Sequence, residues 1–200
     1  MNRVAQSLLA LLLCAVSVHC GGGGGSGGGG IIIIVPPDGD PVFVGDPSCS
    51  GTMAVSMQPG DVNGAMFEVE IRLTGDVANF FGAGFGISFS GATFVGIDDT
   101  AASLLDPFAD SEKEFLACAG PSAACPGRAA GELEVSATLL DSSLVFTPAA
   151  GTPLVTLTFN ATGDGAFTFM VPPQSEVRVC PTPTTCTAAT VSWCDASLTV

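Results

Sequence analysis

The chain has 200 residues, enough for one domain with a real core behind its N-terminal segments. Nineteen acids against five bases leave a formal charge of −14, which excludes a nucleic-acid partner because phosphates need a basic footprint. The single histidine is His19, and a chain cut behind it carries no imidazole, which excludes Ser-His, Cys-His and His-metal chemistry.

Residues 1–19 read as a secretory signal peptide. Arg3 supplies the positive end, and the apolar run Val4 to Val18, rich in leucine from Leu8 to Leu13, is too short to span a bilayer. Two processing sites fit. Ala15 and Ser17 are small residues at the positions a signal peptidase inspects, which permits cleavage after Ser17. The alternative is cleavage before Cys20. The run Cys20-Gly21-Gly22-Gly23-Gly24-Gly25-Ser26-Gly27 resembles the start of many bacterial lipoproteins, where a lipid-bearing cysteine precedes a flexible tether. That resemblance implies lipidation of Cys20 and display on the outer membrane or cell surface of a Gram-negative bacterium. Cysteine parity agrees: of eight cysteines, Cys14 leaves with the signal, and lipidation of Cys20 leaves an even six for disulfides in an exported domain.

Residues 20–48 then form a Gly- and Pro-rich flexible tether. Its glycine-serine part, residues 21–30, spans roughly 17 Å as a random coil. The β-branched run Ile31 to Val35 is expected to pair as a short strand with the domain edge, or to lie in the tether near lipid.

The domain, residues 49–200, is written in period two. Phe67, Val69, Ile71 and Leu73 alternate with Glu68, Glu70, Arg72 and Thr74. The same alternation recurs over Phe85–Phe89, Glu132–Leu139, Val155–Asn160 and Ala166–Phe169, the mark of strands with one buried and one wet face. Gly84 and Gly86 leave the outer side of the Phe85 strand bare, open to a close neighbour. Turn signals separate the runs, among them Pro59-Gly60-Asp61, Ser90-Gly91 and Gly163-Asp164-Gly165. The pattern predicts an all-β, antiparallel β-sandwich or jelly roll of about nine strands. The one helical stretch it suggests is Asp110 to Leu116, one or two turns within a loop and capped by Asp110.

These pieces, in this order, resemble a cohesin domain over residues 52–200. The resemblance rests on Pro59-Gly60-Asp61 before the strand Met66–Leu73, on Phe81–Phe89 and Ala92–Ile97, on Gly131–Leu140 and Leu154–Ala161, and on the closing Asp195-Ala196-Ser197-Leu198-Thr199-Val200. Ser88-Phe89-Ser90-Gly91 stands where cohesins carry an aromatic-Asp-Pro turn. The resemblance implies a jelly-roll sandwich whose first and last strands run parallel and adjacent. It thereby implies a Cys49–Cys194 bridge, with Cys118–Cys125 and Cys180–Cys186 closing short loops; six cysteines allow 15 connectivities in all. It also implies a protein partner of the dockerin kind. A carbohydrate-binding module on the same fold, with a polysaccharide ligand, is the second reading.

No motif supplies an enzyme. There is no nucleophile elbow, Walker loop or Rossmann fingerprint, and the one lysine, Lys113, lies between Glu112 and Glu114. Gly60-Asp61-Val62-Asn63-Gly64 opens like a calcium loop but Ala65-Met66-Phe67 does not complete it. Asp38, Asp40 and Asp46 meet no ligand spacing and read as a solvated linker, and the loop Asp98-Asp99 with Asp106 and Asp110 reads as a chance grouping in an acidic chain, with cation binding or acid–base work as its alternative. No cofactor is expected. The expected interaction face is the polar side of the strands: Glu68, Glu70, Arg72, Glu132 and Glu134. The sequence thus describes a non-catalytic, exported interaction module on a lipid-anchored tether.

Overall fold

The period-two runs build thirteen strands among the described residues. They are β1 (Val42–Gly45), β2 (Ala54–Asn63), β3 (Met66–Thr74), β4 (Phe80–Phe89), β5 (Ala92–Ile97), β6 (Lys113–Ala119), β7 (Glu132–Leu139), β8 (Pro153–Ala161), β9 (Gly165–Met170), β10 (Glu176–Thr182), β11 (Thr185–Ala189), β12 (Ser192–Cys194) and β13 (Ala196–Thr199). The computed structural model describes residues 39–46, 49, 53–75, 77–98, 101–123, 125–149, 152–170 and 175–200. The readings of the signal, of Cys20, of the glycine tether and of Ile31–Val35 fall outside them.

Two sheets result. The smaller has the order β12-β2-β3-β8-β5. The larger runs β1-β13-β9-β4-β10-β11, with β7 on the other edge of β4 and β6 beyond it. β4 is its centre: Gly82–Ser88 pairs with β7, while Gly86–Phe89 and Phe80–Gly84 pair with β9 and β10 in succession. The inner faces close on each other through one core, from Val55, Phe67, Val69, Ile71, Leu157 and Phe159 on one side to Phe85, Ile87, Val135, Phe167 and Val177 on the other. Phe159 sits at its aromatic centre, with ring centroids of Phe67, Phe89, Phe94 and Phe167 at 5.7, 5.2, 5.5 and 5.0 Å. The sandwich is therefore all-β, as the alternation implies.

Five details differ from the sequence reading. Val42–Gly45, expected within the tether 20–48, is strand β1, because Phe43 buries against Phe67 and Phe167 when β1 pairs with β13. The strand count is thirteen, because short edge strands such as β1, β11 and β12 are too brief to show a periodicity. Asp110 to Leu116 is not helical: residues 110–112 turn and Lys113–Ala119 is strand β6, because Phe115 and Ala117 reach the core only when β6 pairs with β7. Tertiary pairing there overrides a capping signal. Pro59-Gly60-Asp61 is not a turn but lies inside β2, where the register to β3 shifts between Pro59 and Val62. A bulge tolerates proline and glycine within a strand, and the reversal comes at Gly64, whose φ is +60°.

The last strand also departs from the expectation. The parallel partner of β2 is β12, Ser192–Cys194. After Asp195 the chain crosses to the other sheet, and β13 pairs antiparallel with β1 and β9. Asp195 fixes that crossing. Its carbonyl accepts from the Asp46 amide at 3.0 Å, and its Oδ1 accepts from the Phe169 amide at 2.9 Å.

Candidate functional site

The five residues expected on one interaction face lie on two. Glu68, Glu70 and Arg72 alternate with the buried residues of β3, so they point outward from the smaller sheet. Glu132 and Glu134 alternate with Leu133 and Val135 of β7 and point outward from the larger one. Facing inner sides force the two polar sides apart, a constraint that period two alone does not reveal.

Most of these charges are also engaged within the chain. Arg72 Nε donates to Glu70 Oε2 at 2.6 Å. Arg128 Nη2 donates to Glu134 Oε2 at 2.7 Å, and Glu132 Oε2 accepts from the Ala129 amide at 2.9 Å. Glu68 Oε2 accepts from the Asp61 amide at 3.3 Å. Burial and the adjacent Asp98 carboxyl push the Glu68 carboxyl above its ordinary range, against the smaller opposing effect of the Asp61 amide. Every described cation has a carboxylate within 4 Å: Arg72 with Glu70, Lys113 with Asp106 and Asp110, Arg128 with Glu134 and Arg178 with Glu176.

The outer face of the larger sheet carries a different feature. Cross-strand register lines up Leu116 of β6, Ser136 of β7, Gly84 of β4 and Glu176 of β10 in one row. With strands about 4.8 Å apart, that row is roughly 14 Å long. Its neighbours in β4 are covered: a Cβ on Gly82 would lie 2.7 Å from Thr138 Cβ, and one on Gly86 would lie 2.8 Å from Met170 Sδ. Above Gly84 a Cβ would meet nothing nearer than the Val135 carbonyl at 3.9 Å. The result is a shallow depression bounded by Thr138, Met170 and the 55% exposed Leu116. The bare glycine side was legible in the sequence; the exposed leucine beside it was not, because Leu116 was read into a helical turn.

The remaining expected features fall as follows. Cys49–Cys194, Cys118–Cys125 and Cys180–Cys186 are bonded, with Cα separations of 5.8, 5.7 and 4.0 Å. Among the described residues no group of three His, Cys, Asp or Glu side chains converges as metal ligands. Among the described residues the exposed large apolar side chains include no aromatic, since Phe80 is buried and Phe81, Phe94 and Trp193 lean on the core. A separate cavity of about 390 Å³ lies between the loop 101–110 and the starts of β6 and β8.

No protein-family profile matches the chain, and no curated protein matches it. Among solved structures it is similar to a type II cohesin domain from the cellulosome of Acetivibrio cellulolyticus, at 11% identity and a TM-score of 0.49, covering 73% of this chain and 95% of that one. It is also similar to the sixth cohesin of that organism's scaffoldin B, solved in complex with a mutant Cel5 dockerin. That match has 14% identity and a TM-score of 0.44, covering 71% and 96% of the two chains.

Proposed function

We propose that the chain is an exported, non-catalytic, cohesin-like module that binds a dockerin-like protein through the outer face of its larger sheet. The cohesin resemblance of residues 52–200 motivates the class of partner. The observation that carries the choice of face is the row Leu116-Ser136-Gly84-Glu176, with its open position over Gly84 and its exposed leucine. A flat, small-residue strip with one apolar shoulder suits the close approach of a partner's backbone or side chain, as interface centres are depleted in charge. Ion pairs stand on both sheets, Glu70 with Arg72 on the smaller and Glu134 with Arg128 and Glu176 with Arg178 on the larger, so it is the open glycine position and the exposed leucine that set this face apart. The anchor belongs to the same proposal: Cys20 carries lipid, and the glycine tether lets the sandwich search for its partner away from the surface.

The test is capture of dockerin-bearing proteins from the same source on the immobilised domain. Wild type should retain one, while Gly84→Arg and Leu116→Arg should each lose it at unchanged melting temperature. Retention on polysaccharide with no protein captured would overturn the proposal. Fatty-acid labelling tests the anchor separately: label present in wild type and absent in Cys20→Ala is expected, and an unlabelled wild type refutes lipidation.

A further inference from the structure

We infer that β11 is a self-association edge, at which two copies of this chain pair strand to strand and antiparallel. The surface is separate from the outer face proposed above and does not depend on it. β11 ends one branch of the larger sheet and pairs, among the described strands, with β10 alone. In an antiparallel ladder alternate residues turn their N–H and C=O groups away from the neighbour. The free edge of β11 therefore offers main-chain donors and acceptors to a further strand.

Natural sheet edges are usually blunted, and the other edges of this sandwich are. β6 carries Lys113 and Glu114. β5 holds a bulge of its own between Phe94 and Gly96 and runs into Asp98. β1 has four residues and is followed by Asp46, and β12 has three. β11 has none of these devices. Its five residues, Thr185-Cys186-Thr187-Ala188-Ala189, include no charge and no proline, and the extra residue in its pairing lies in β10. The Cys180–Cys186 bond clamps it to β10, so the edge is ordered before a partner arrives. Successive side chains of a strand point to opposite faces, yet Thr185 to Ala188 are all exposed. β11 thus projects past the cover of the smaller sheet, and a second molecule reaches its edge without meeting that sheet.

Charge selects the occupant. The chain carries a formal −14, so two copies repel wherever their acids meet. From Val179 to Cys194 there is no charged residue, and on β10 Arg178 Nε donates to Glu176 Oε1 at 2.6 Å. A basic peptide gains nothing from an uncharged strand, whereas a like-charged copy can approach there. The strand is also self-complementary. An antiparallel pairing that uses all five residues sets Thr187 opposite its own counterpart, Cys186 opposite Ala188 and Thr185 opposite Ala189. The side chains are small, and threonine pairs favourably with threonine across strands. The two-fold axis of such a pair stands perpendicular to the sheet, so the outer faces of both larger sheets lie on one side. Five paired residues make a small interface, of the class below about 1,200 Å², and the expected Kd is about 0.1–1 mM.

The experiment is sedimentation equilibrium of the processed chain, residues 20–200, with Cys20→Ala to remove lipid and the unpaired thiol, from about 10 μM to about 1 mM. A reversible monomer–dimer equilibrium is expected, tightening several-fold between about 0.05 and about 0.5 M NaCl as self-repulsion is screened. Thr187→Asp sets two like charges face to face and should weaken association about tenfold or more, as should Ala188→Asp. Both positions are exposed, so the melting temperatures should not change, and Thr187→Ser should dimerise like wild type. In the wild-type dimer, amide exchange should slow at Thr185–Ala189 relative to the monomer. A monomer at every concentration and salt overturns the inference. So does a dimer that survives both aspartate variants, one that salt weakens, or one whose slowed amides lie outside β11.

Discussion

Removal of the Cys49–Cys194 bridge should cost more stability than removal of either other disulfide. The bridge spans 145 positions, whereas Cys118–Cys125 spans 7 and Cys180–Cys186 spans 6. If a disulfide acts by restricting the unfolded chain, the loop-entropy expression assigns about 5 kcal/mol to the long loop and about 2 kcal/mol to each short one. The long bridge also ties the segment between β1 and β2 to the Asp195 crossing, where the Cys49 amide donates to the Asp46 carbonyl at 3.3 Å. The double variants Cys49→Ala/Cys194→Ala, Cys118→Ala/Cys125→Ala and Cys180→Ala/Cys186→Ala are compared by urea unfolding. With a slope near 2 kcal/mol/M, the midpoint should fall by about 2.5 M for the first and about 1 M for each of the others. Equal shifts across the three variants would refute the entropic argument. Free thiols titrating at Cys49 and Cys194 in the folded wild type would refute the pairing itself.

Phe159→Ala should destabilise by about 3–5 kcal/mol in the same assay, because a fully buried ring in contact with four others leaves a cavity that a two-sheet core closes poorly; a loss below about 1 kcal/mol would show that the sheets collapse onto the gap. Gly91→Ala should cost about 1–3 kcal/mol, since Gly91 has φ +69° and a Cβ there collides with the Gly163 and Asp164 carbonyls. Gly96→Ala meets nothing within 4 Å and should be near neutral, so similar melting temperatures for the two variants would contradict the turn geometry. Glu68→Gln should raise the melting temperature near neutral pH. The raised carboxyl binds its proton more tightly in the folded state, so its ionised form costs stability above the raised value and costs nothing below the ordinary value. The advantage of the variant should therefore vanish in acid; a gain that persists there would point to a cause other than charge.

The central strands were legible from their alternation. β3 and β7 have one wet and one dry side, from Phe67 to Leu73 and from Leu133 to Leu139, whereas in β8 the alternating Thr156 is itself buried and only the residue types alternate. β6 was not legible: Lys113-Glu114 follows a capping aspartate, and only pairing with β7 gives Phe115 and Ala117 a reason to point inward. The candidate face was half legible for a related cause. Alternation tells which side of a strand is polar, but not which sheet the strand joins, so Glu68 and Glu134 look equivalent in the sequence and stand on opposite sides of the sandwich.

By itself, then, the sequence determined the class of this protein: an acidic chain without imidazole in its domain, with a β-alternating core, written for one sandwich. These are composition and local periodicity, and they need no partner strand. Only the tertiary structure decided which residues share a surface. Register placed Leu116 beside Ser136 and Gly84, and the loop after β5 brought Lys113 and Thr156 to one cavity from different sheets. Such neighbours are set by long-range strand pairing and by which inner faces exclude water together, neither of which acts along the chain.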